Sequence, residues 1–406
     1  MATSYLTPGI YVEEVSTGPK PLEAAGTSTA GFVGRAPNPG ARPNEPVAIN
    51  NWSQFLKVFC QGKDVKSTNL SLAVYAFFEN GGQRCFVVNI GDSPSLLGSG
   101  GPRREGLDLL REVDEVAIVA APGYTDPGSY NALLTHAEQM QDRVAVLDAP
   151  EDASVEQLCE VGTVSAPPAS KEGAPPEAPR RSRGQRARAS KYGAYYFPWI
   201  SLYDPFNPKQ LVNAPPSGHM AGIYARVDGT RGVHKPPANE IVRAAEGLAT
   251  PLTREELGVL NQCGVNCIRF FPRDGIKVWG ARTLSDDPEW RYLNVRRLFC
   301  MVEETIGQGT RWVVFEPNDL TLRRSVVRDV SAFLRRLWRD GALVGRTEQE
   351  AFFVKCDDET NPPEVVDAGQ LVAVVGIAPV KPAEFIIFRI GQHSGGVEQT
   401  EEAARG

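Results

Sequence analysis

Four histidines (His136, His219, His234, His393) and seven cysteines (Cys60, Cys85, Cys159, Cys263, Cys267, Cys300, Cys356) are the side chains suited to metal binding or nucleophilic attack. The histidines are scattered, and none stands in an H-E-x-x-H or paired-ligand spacing. Cys263 and Cys267 lie four residues apart, close enough to share a helix face. No second Cys or His pair accompanies them at zinc-site spacing, so both read as small buried apolar side chains. Gly98, Gly100 and Gly101 open like a dinucleotide-binding turn, but Arg103 stands where G-x-G-x-x-G needs its last glycine. A flexible turn is the expectation there. Neither a G-x-x-x-x-G-K-S/T phosphate cradle nor a G-x-S-x-G elbow is present. Asp286–Asp287 and Asp357–Asp358 are adjacent pairs, and neighbouring strand residues face opposite ways, so both read as solvated turns rather than acid–base couples. The expectation is a chain without catalytic residue, cofactor or metal.

Two basic surfaces stand out instead. Arg180, Arg181, Arg183, Arg186, Arg188 and Lys191 fall in a stretch, 162–191, rich in Pro, Ala, Gly and Ser. It lacks large apolar side chains and reads as an exposed loop. No aromatic is interleaved with these charges before Tyr192, which weakens a nucleic-acid reading. The net charge of −6 also argues against a surface built for phosphate backbones. The second surface is one face of a helix over 320–340, carrying Arg323, Arg324, Arg328, Arg335, Arg336 and Arg339. A rigid helix can present such a stripe in register to an acidic partner.

The elements that must hold these residues follow from length and pattern. With 406 residues, 42% hydrophobic and 23% charged, the chain has material for two or three domains with real cores. Scattered cysteines suggest reduced thiols in a cytoplasm. The first residues lack a signal-peptide pattern, and no apolar run approaches about 18 residues, so no membrane insertion is expected. Strands are predicted at 31–34, 85–90, 116–120, 144–147, 195–202, 268–271, 276–279, 312–315, 351–355 and 371–377. Helices are predicted from Asn51, with Gln54 as a capping partner, and over 70–79 and 130–140. Others start at Thr253, with Glu256 as partner, and cover 293–306 and 322–340. Residues 204–219 read as Pro/Gly-rich, with a short segment at 220–227. Helices alternating with all-apolar strands imply an open, mostly parallel α/β sheet.

The two ends are unusual. Extended segments at 5–15 and 385–390 leave backbone edges that another strand must complete, in a neighbouring copy or in the same chain. Periodicity leaves those alternatives open.

The residues themselves resemble the contractile tail sheath proteins of myophage tails and of related bacterial injection particles. The matching stretches include YLTPGIYVEEV at 5–15, GGQRCFVVNI at 81–90, YYFPWI at 195–200, LNQCGVNCIRFF at 260–271 and VWGARTLSDDPEWRYLNVRRLF at 278–299. WVVFEPND at 312–319, AFFVKCDDETN at 351–361 and APVKPAEFIIFRI at 378–390 continue the series. The likeness is dense from 195 onward, weak over 36–70 and absent over 162–191.

The resemblance implies an α/β fold: an open mixed sheet domain over 23–282, a smaller α+β C-terminal domain over 283–380, an N-terminal linking arm over 1–22 and a C-terminal arm and tail over 381–406. It implies a structural subunit in hexameric rings that stack helically around an inner tube. A metastable extended form shortens to drive the tube through an envelope. Tyr5, Ile10, Tyr11, Val12, Val15, Phe385, Ile386, Ile387, Phe388 and Ile390 become inter-subunit arm residues. Arg323, Arg324, Arg328 and Arg335 become the tube-facing stripe. Implied partners are further copies of the chain, the inner tube protein, and baseplate and tail-terminator proteins. Nucleic acid is not among them. Implied localisation is assembly in the bacterial cytoplasm and residence in a virion tail or injection particle. The alternatives are a non-contractile tube or capsid-like protein, and an α/β hydrolase.

Overall fold

Short all-apolar runs that alternate with helices need a sheet covered on both faces, and the chain builds one. The computed structural model describes residues 22–62, 65–93, 95–97, 104–163 and 184–386. The strands are β1 (Ala30–Gly34), β2 (Val47–Ile49), β3 (Cys85–Asn89), β4 (Ile118–Ala120), β5 (Val144–Asp148), β6 (Gly193–Phe197), β7 (Ile200–Asp204), β8 (Asn207–Ala214), β9 (Gly247–Leu248), β10 (Val265–Phe271), β11 (Gly275–Val278), β12 (Phe352–Lys355) and β13 (Val374–Ile377). Eight of them form a sheet in the order β2-β3-β1-β4-β5-β6-β10-β11. Its interior pairings are parallel, and β2 and β11 pair antiparallel at the two edges. Every residue of β1, β3, β4, β5 and β6 is buried.

Helices α1 (Trp52–Phe59), α2 (Asn69–Glu79), α3 (Pro127–Met140), α4 (Val155–Cys159), α5 (Ser217–Arg231) and α6 (Arg254–Gln262) accompany this sheet. Thr253 and Glu256 form the expected capping box. Asn51 caps α1, but Gln54 returns its bond to the Asn50 amide, one residue early. A second core gathers α7 (Leu293–Gly309), α8 (Leu320–Arg339) and the β12–β13 hairpin around Leu298, Met301, Val330, Phe333 and Phe352. The expected open mixed sheet with a smaller α+β unit is therefore the architecture found.

Several local expectations fail for identifiable reasons. The run at 195–202 is two strands in two sheets, β6 and β7, parted at Pro198, which has no amide hydrogen for a ladder. The Pro/Gly-rich 204–219 contains β8, paired to β7, and the start of α5, which extends well beyond the short segment expected. The apolar run at 312–315 is not a strand: Arg311–Val313 is a single 3₁₀ turn, and Phe315 follows at φ +70°, fully exposed. Four apolar residues in a row do not distinguish strand from turn without a partner strand to pair with. Only Val374–Ile377 of the predicted 371–377 is strand. The glycine turn beginning at Gly98 lies outside the described residues.

The thiol expectation is also corrected. Cys159, ending α4, and Cys263, capping α6, form a disulfide with a sequence separation of 104 residues. Cys267 is buried as expected, as are Cys85, Cys300 and Cys356. Of the acidic pairs, Asp286 and Asp287 are exposed turn residues, and Asp358 meets Arg323.

The sheet's C-terminal edge, where α/β folds commonly place chemistry, holds a sealed polar knot. Asp148 Oδ1 accepts from the Ser217 amide at 2.6 Å, and Oδ2 from Ser217 Oγ at 2.7 Å and the Gly123 amide at 3.0 Å. Burial pushes its carboxyl up to about 6 against these three bonds. Ser217 starts α5, whose Pro216 cap offers no side-chain acceptor, so Asp148 supplies one from across the fold. Both side chains are buried, and Ser217 spends its proton on structure.

His136 on α3 is buried with neither ring nitrogen hydrogen-bonded. Burial, then Arg143 and Arg111, push it down to about 3. The unfolded chain takes up this proton near the ordinary value of about 6.5 and the folded chain does not. Stability from this site is therefore complete above that pH and is lost as pH falls below it. At pH 5 the loss is about 2 kcal/mol. His136→Leu should reduce the fall in unfolding free energy between pH 7 and pH 5, read from urea titrations, by that amount; an unchanged fall would refute the assignment.

Candidate assembly surfaces

α8 begins at Asp319, whose Oδ1 accepts the Leu322 amide at 2.7 Å. Leu322, Val326, Val330, Phe333 and Leu337 recur every three or four residues and are buried in or beside the second core. The opposite face exposes Arg324, Arg328 and Arg339, with Arg335 at its margin. Arg323 is corrected: its side chain is buried, with Nε donating to Asn318 Oδ1 and Nη1 to Asp358 Oδ1, both at 2.8 Å. It sits one position toward the core from the stripe, which the spacing did not discriminate. Arg335 makes a bidentate pair with Glu348 at 2.8 and 2.6 Å, and Arg328 pairs with buried Asp329 at 2.9 Å. Arg324 and Arg339 make no ion pair among the described residues, so they are the least compensated charges on this face.

β12 and β13 form a two-stranded ribbon with the register Phe352↔Ile377 to Lys355↔Val374, and each strand keeps one edge without a strand partner among the described residues. Phe353 and Val374 are exposed on it. Two strands alone are marginal, and open edges are templates for a further strand. The sequence named both strands but not their pairing, which depends on the turn of chain between them. Of the predicted arm residues, Phe385 and Ile386 are exposed and belong to no strand. A strand needs a partner, and among the described residues none pairs with this segment. Tyr5, Ile10, Tyr11, Val12, Val15, Ile387, Phe388 and Ile390 lie outside the described residues.

The chain that follows the N-terminal segment is firmly held. Leu22 is buried in the second core beside Gly309, and its carbonyl accepts from Arg336 Nη2 at 2.7 Å. Between the cores, Arg297 of α7 meets Asp228 of α5 at 2.5 and 2.9 Å, donates to the Thr27 carbonyl at 3.0 Å and lies over the Tyr224 ring. Thr27 Oγ donates to the same carboxylate at 2.6 Å. One buried ion pair thus ties together the sheet core, the helical core and the N-terminal lead. No sequence signal singled it out.

Known proteins share this fold. A family model for the phage tail sheath protein central domain matches residues 105–284, and one for the phage tail sheath C-terminal domain matches residues 285–392. The sheath protein of the PVC extracellular contractile injection system, solved by cryo-EM in the contracted state, superposes with a TM-score of 0.77 at 30% identity. That match covers 97% of this chain and 99% of that one. The chain belongs to the phage tail sheath family. Another member, the anti-feeding prophage (AFP) helical sheath in its contracted state, gives a TM-score of 0.73 at 28% identity over 96% of this chain and 100% of that one. The tail sheath protein of Escherichia phage P2 is 30% identical over 174 residues, which are 41% of this chain and 42% of the phage protein. The chain therefore aligns with less than half of that relative's length. Membership makes this chain a structural sheath protein.

Proposed function

We propose that this sheath chain is the repeating subunit of a contractile cylinder, in which hexameric rings stack helically around an inner tube. Shortening from a metastable extended form drives the tube through a target envelope. The observation that carries this reading is the near end-to-end likeness to a sheath protein seen contracted. Work is drawn from rearranged contacts between subunits, so the chain needs no catalysis, cofactor or nucleotide. If each subunit gains only about 1–3 kcal/mol, the size of an ordinary coupled step, hundreds of subunits release a large total. Rigid cores re-pack while extended arms, 1–22 and the segment after residue 380, keep neighbours connected through backbone pairing. The open ribbon of β12 and β13 offers edges for such pairing.

The arginine face of α8 supplies the tube contact, led by Arg324 and Arg328. Baseplate and terminator proteins cap the two ends, neither nucleic acid nor membrane insertion is involved, and assembly precedes release from the bacterial cytoplasm. Electron microscopy of the purified chain should show hollow, cross-striated cylinders of two discrete lengths. Deleting residues 1–16 should leave a folded monomer that forms none; long cylinders from that truncation would defeat the arm reading. In the same assay, reversing Arg324 to glutamate should suppress growth on a tube template while leaving the fold intact. Undiminished templated growth would remove the helix from the tube interface.

A further inference from the structure

We propose that Glu384 is the positioning residue that latches the C-terminal strap onto the sheet core and sets the point from which the C-terminal arm departs. The inference rests on the arm reading above. After β13 the chain runs on as an extended strap along the second core. The Ala378 amide donates to the Ala351 carbonyl at 2.9 Å, and the Val344 amide to the Ala378 carbonyl at 2.8 Å. Val380 donates to the Ala342 carbonyl at 3.2 Å and accepts from Asn294 Nδ2 at 3.0 Å. Four residues later the partners change core.

The Glu384 carboxylate receives four donors, three from the sheet side of the joint and one from Tyr292, which caps α7. Arg282 Nε reaches Oε1 at 2.9 Å and Nη2 reaches Oε2 at 2.7 Å. Asn261 Nδ2 donates to Oε1 at 3.0 Å, and the Tyr292 hydroxyl to Oε2 at 3.3 Å. This socket is held by its own bonds. Arg282 Nη1 is committed to the Asn261 carbonyl at 2.8 Å, while fully buried Asn266 brackets the Arg282 backbone at 2.7 and 2.8 Å.

The pair is not an ordinary surface contact, since the Arg282 and Glu384 side chains are only 13% and 20% exposed. Phe385 and Ile386, directly after it, are 71% and 72% exposed. Among the described residues, hold on the chain therefore ends at Glu384. Burial pushes the carboxyl up, but the Arg282 and Asn261 hydrogen bonds outweigh it and hold it below the usual carboxylate range. A bidentate guanidinium–carboxylate pair fixes direction as well as position. Tension in an arm engaged by a neighbour passes through this carboxylate to α6 and the β10–β11 end of the sheet. Load that the carboxylate does not take falls on the strap's hydrogen bonds to the second core.

The test uses the full chain with Glu384→Ala, Arg282→Ala, the exchange of Arg282→Glu with Glu384→Arg, and a truncation after Glu384. In the unassembled chain, Glu384→Ala should keep the melting temperature within about 2 °C of the parent. Hydrogen exchange across residues 378–386 should accelerate. The critical concentration for sheath formation should rise about tenfold in either single variant, and the exchange should restore it in part. A truncation that cannot assemble, beside a Glu384→Ala variant that assembles at the parent concentration, would overturn the latch and leave the arm reading standing. A truncation that assembles like the parent would overturn both. Should Glu384→Ala fail to fold, the exchange variant decides: a folded exchange variant whose strap stays unprotected also overturns the latch.

Discussion

Replacing Gly222 with alanine is expected to lower the stability of the unassembled chain by about 1–3 kcal/mol, and replacing it with leucine to abolish soluble folded protein. Gly218 and Gly222 lie one helical turn apart on α5, where that helix presses on the backbone of α2. A Cβ added at Gly222 would stand 2.5 Å from the Phe77 carbonyl oxygen and 2.7 Å from Asn80 Cβ, and one at Gly218 would meet the backbone of Ala73. Backbone cannot rotate away as a side chain can, so the helices must separate, and Phe77 and Ala73 belong to the main core. An exposed helix glycine behaves in the opposite way. Gly229, on the same helix, has nothing within 4 Å of an added Cβ. Gly229→Ala should therefore stabilise by about 0.5–1 kcal/mol through helix propensity alone. Urea midpoints for the two variants should move in opposite directions, and a shared direction would exclude the close helix crossing.

The second large effect concerns the joint. Asp228→Ala leaves the Arg297 guanidinium buried without its counter-charge, and a loss of about 3–5 kcal/mol is expected. The side chains are 4% and 3% exposed, so solvent cannot replace the missing carboxylate. Changing both residues, Asp228→Leu with Arg297→Met, removes the stranded charge along with its partner and should cost far less than the sum of the two single changes. A double-mutant cycle by chemical denaturation reads the coupling directly. Additive single effects would mean the pair contributes nothing of its own. Because Thr27 shares the same carboxylate, the Asp228→Ala variant should also loosen the N-terminal lead, seen as faster hydrogen exchange over residues 24–29.

Much of the fold was legible because its signals are local. Runs such as CFVV and VAVL are apolar throughout and form strands covered on both faces, within β3 and β5. The spacing of Leu322, Val326, Val330, Phe333 and Leu337 marks a helix with one buried side, and Thr253 with Glu256 marks where another begins. Errors arose where a local pattern admits two answers. WVVF looks like a strand, yet Arg311–Val313 closes a 3₁₀ turn, and YYFPWISL looks continuous until Pro198 divides it between two sheets.

What composition and periodicity determine here is which segments are helix or strand, because those depend on neighbours within a few residues; the quoted stretches add the family. Tertiary structure alone decides which charges are spent. Arg323 and Arg324 are adjacent and identical in type, yet one is buried against Asn318 and Asp358 and the other faces solvent. Cys159 finds Cys263, Arg297 finds Asp228, and Glu384 finds Arg282 across 104, 69 and 102 positions. Pairings at that range depend on how distant elements pack against one another, and no periodicity within either segment encodes it.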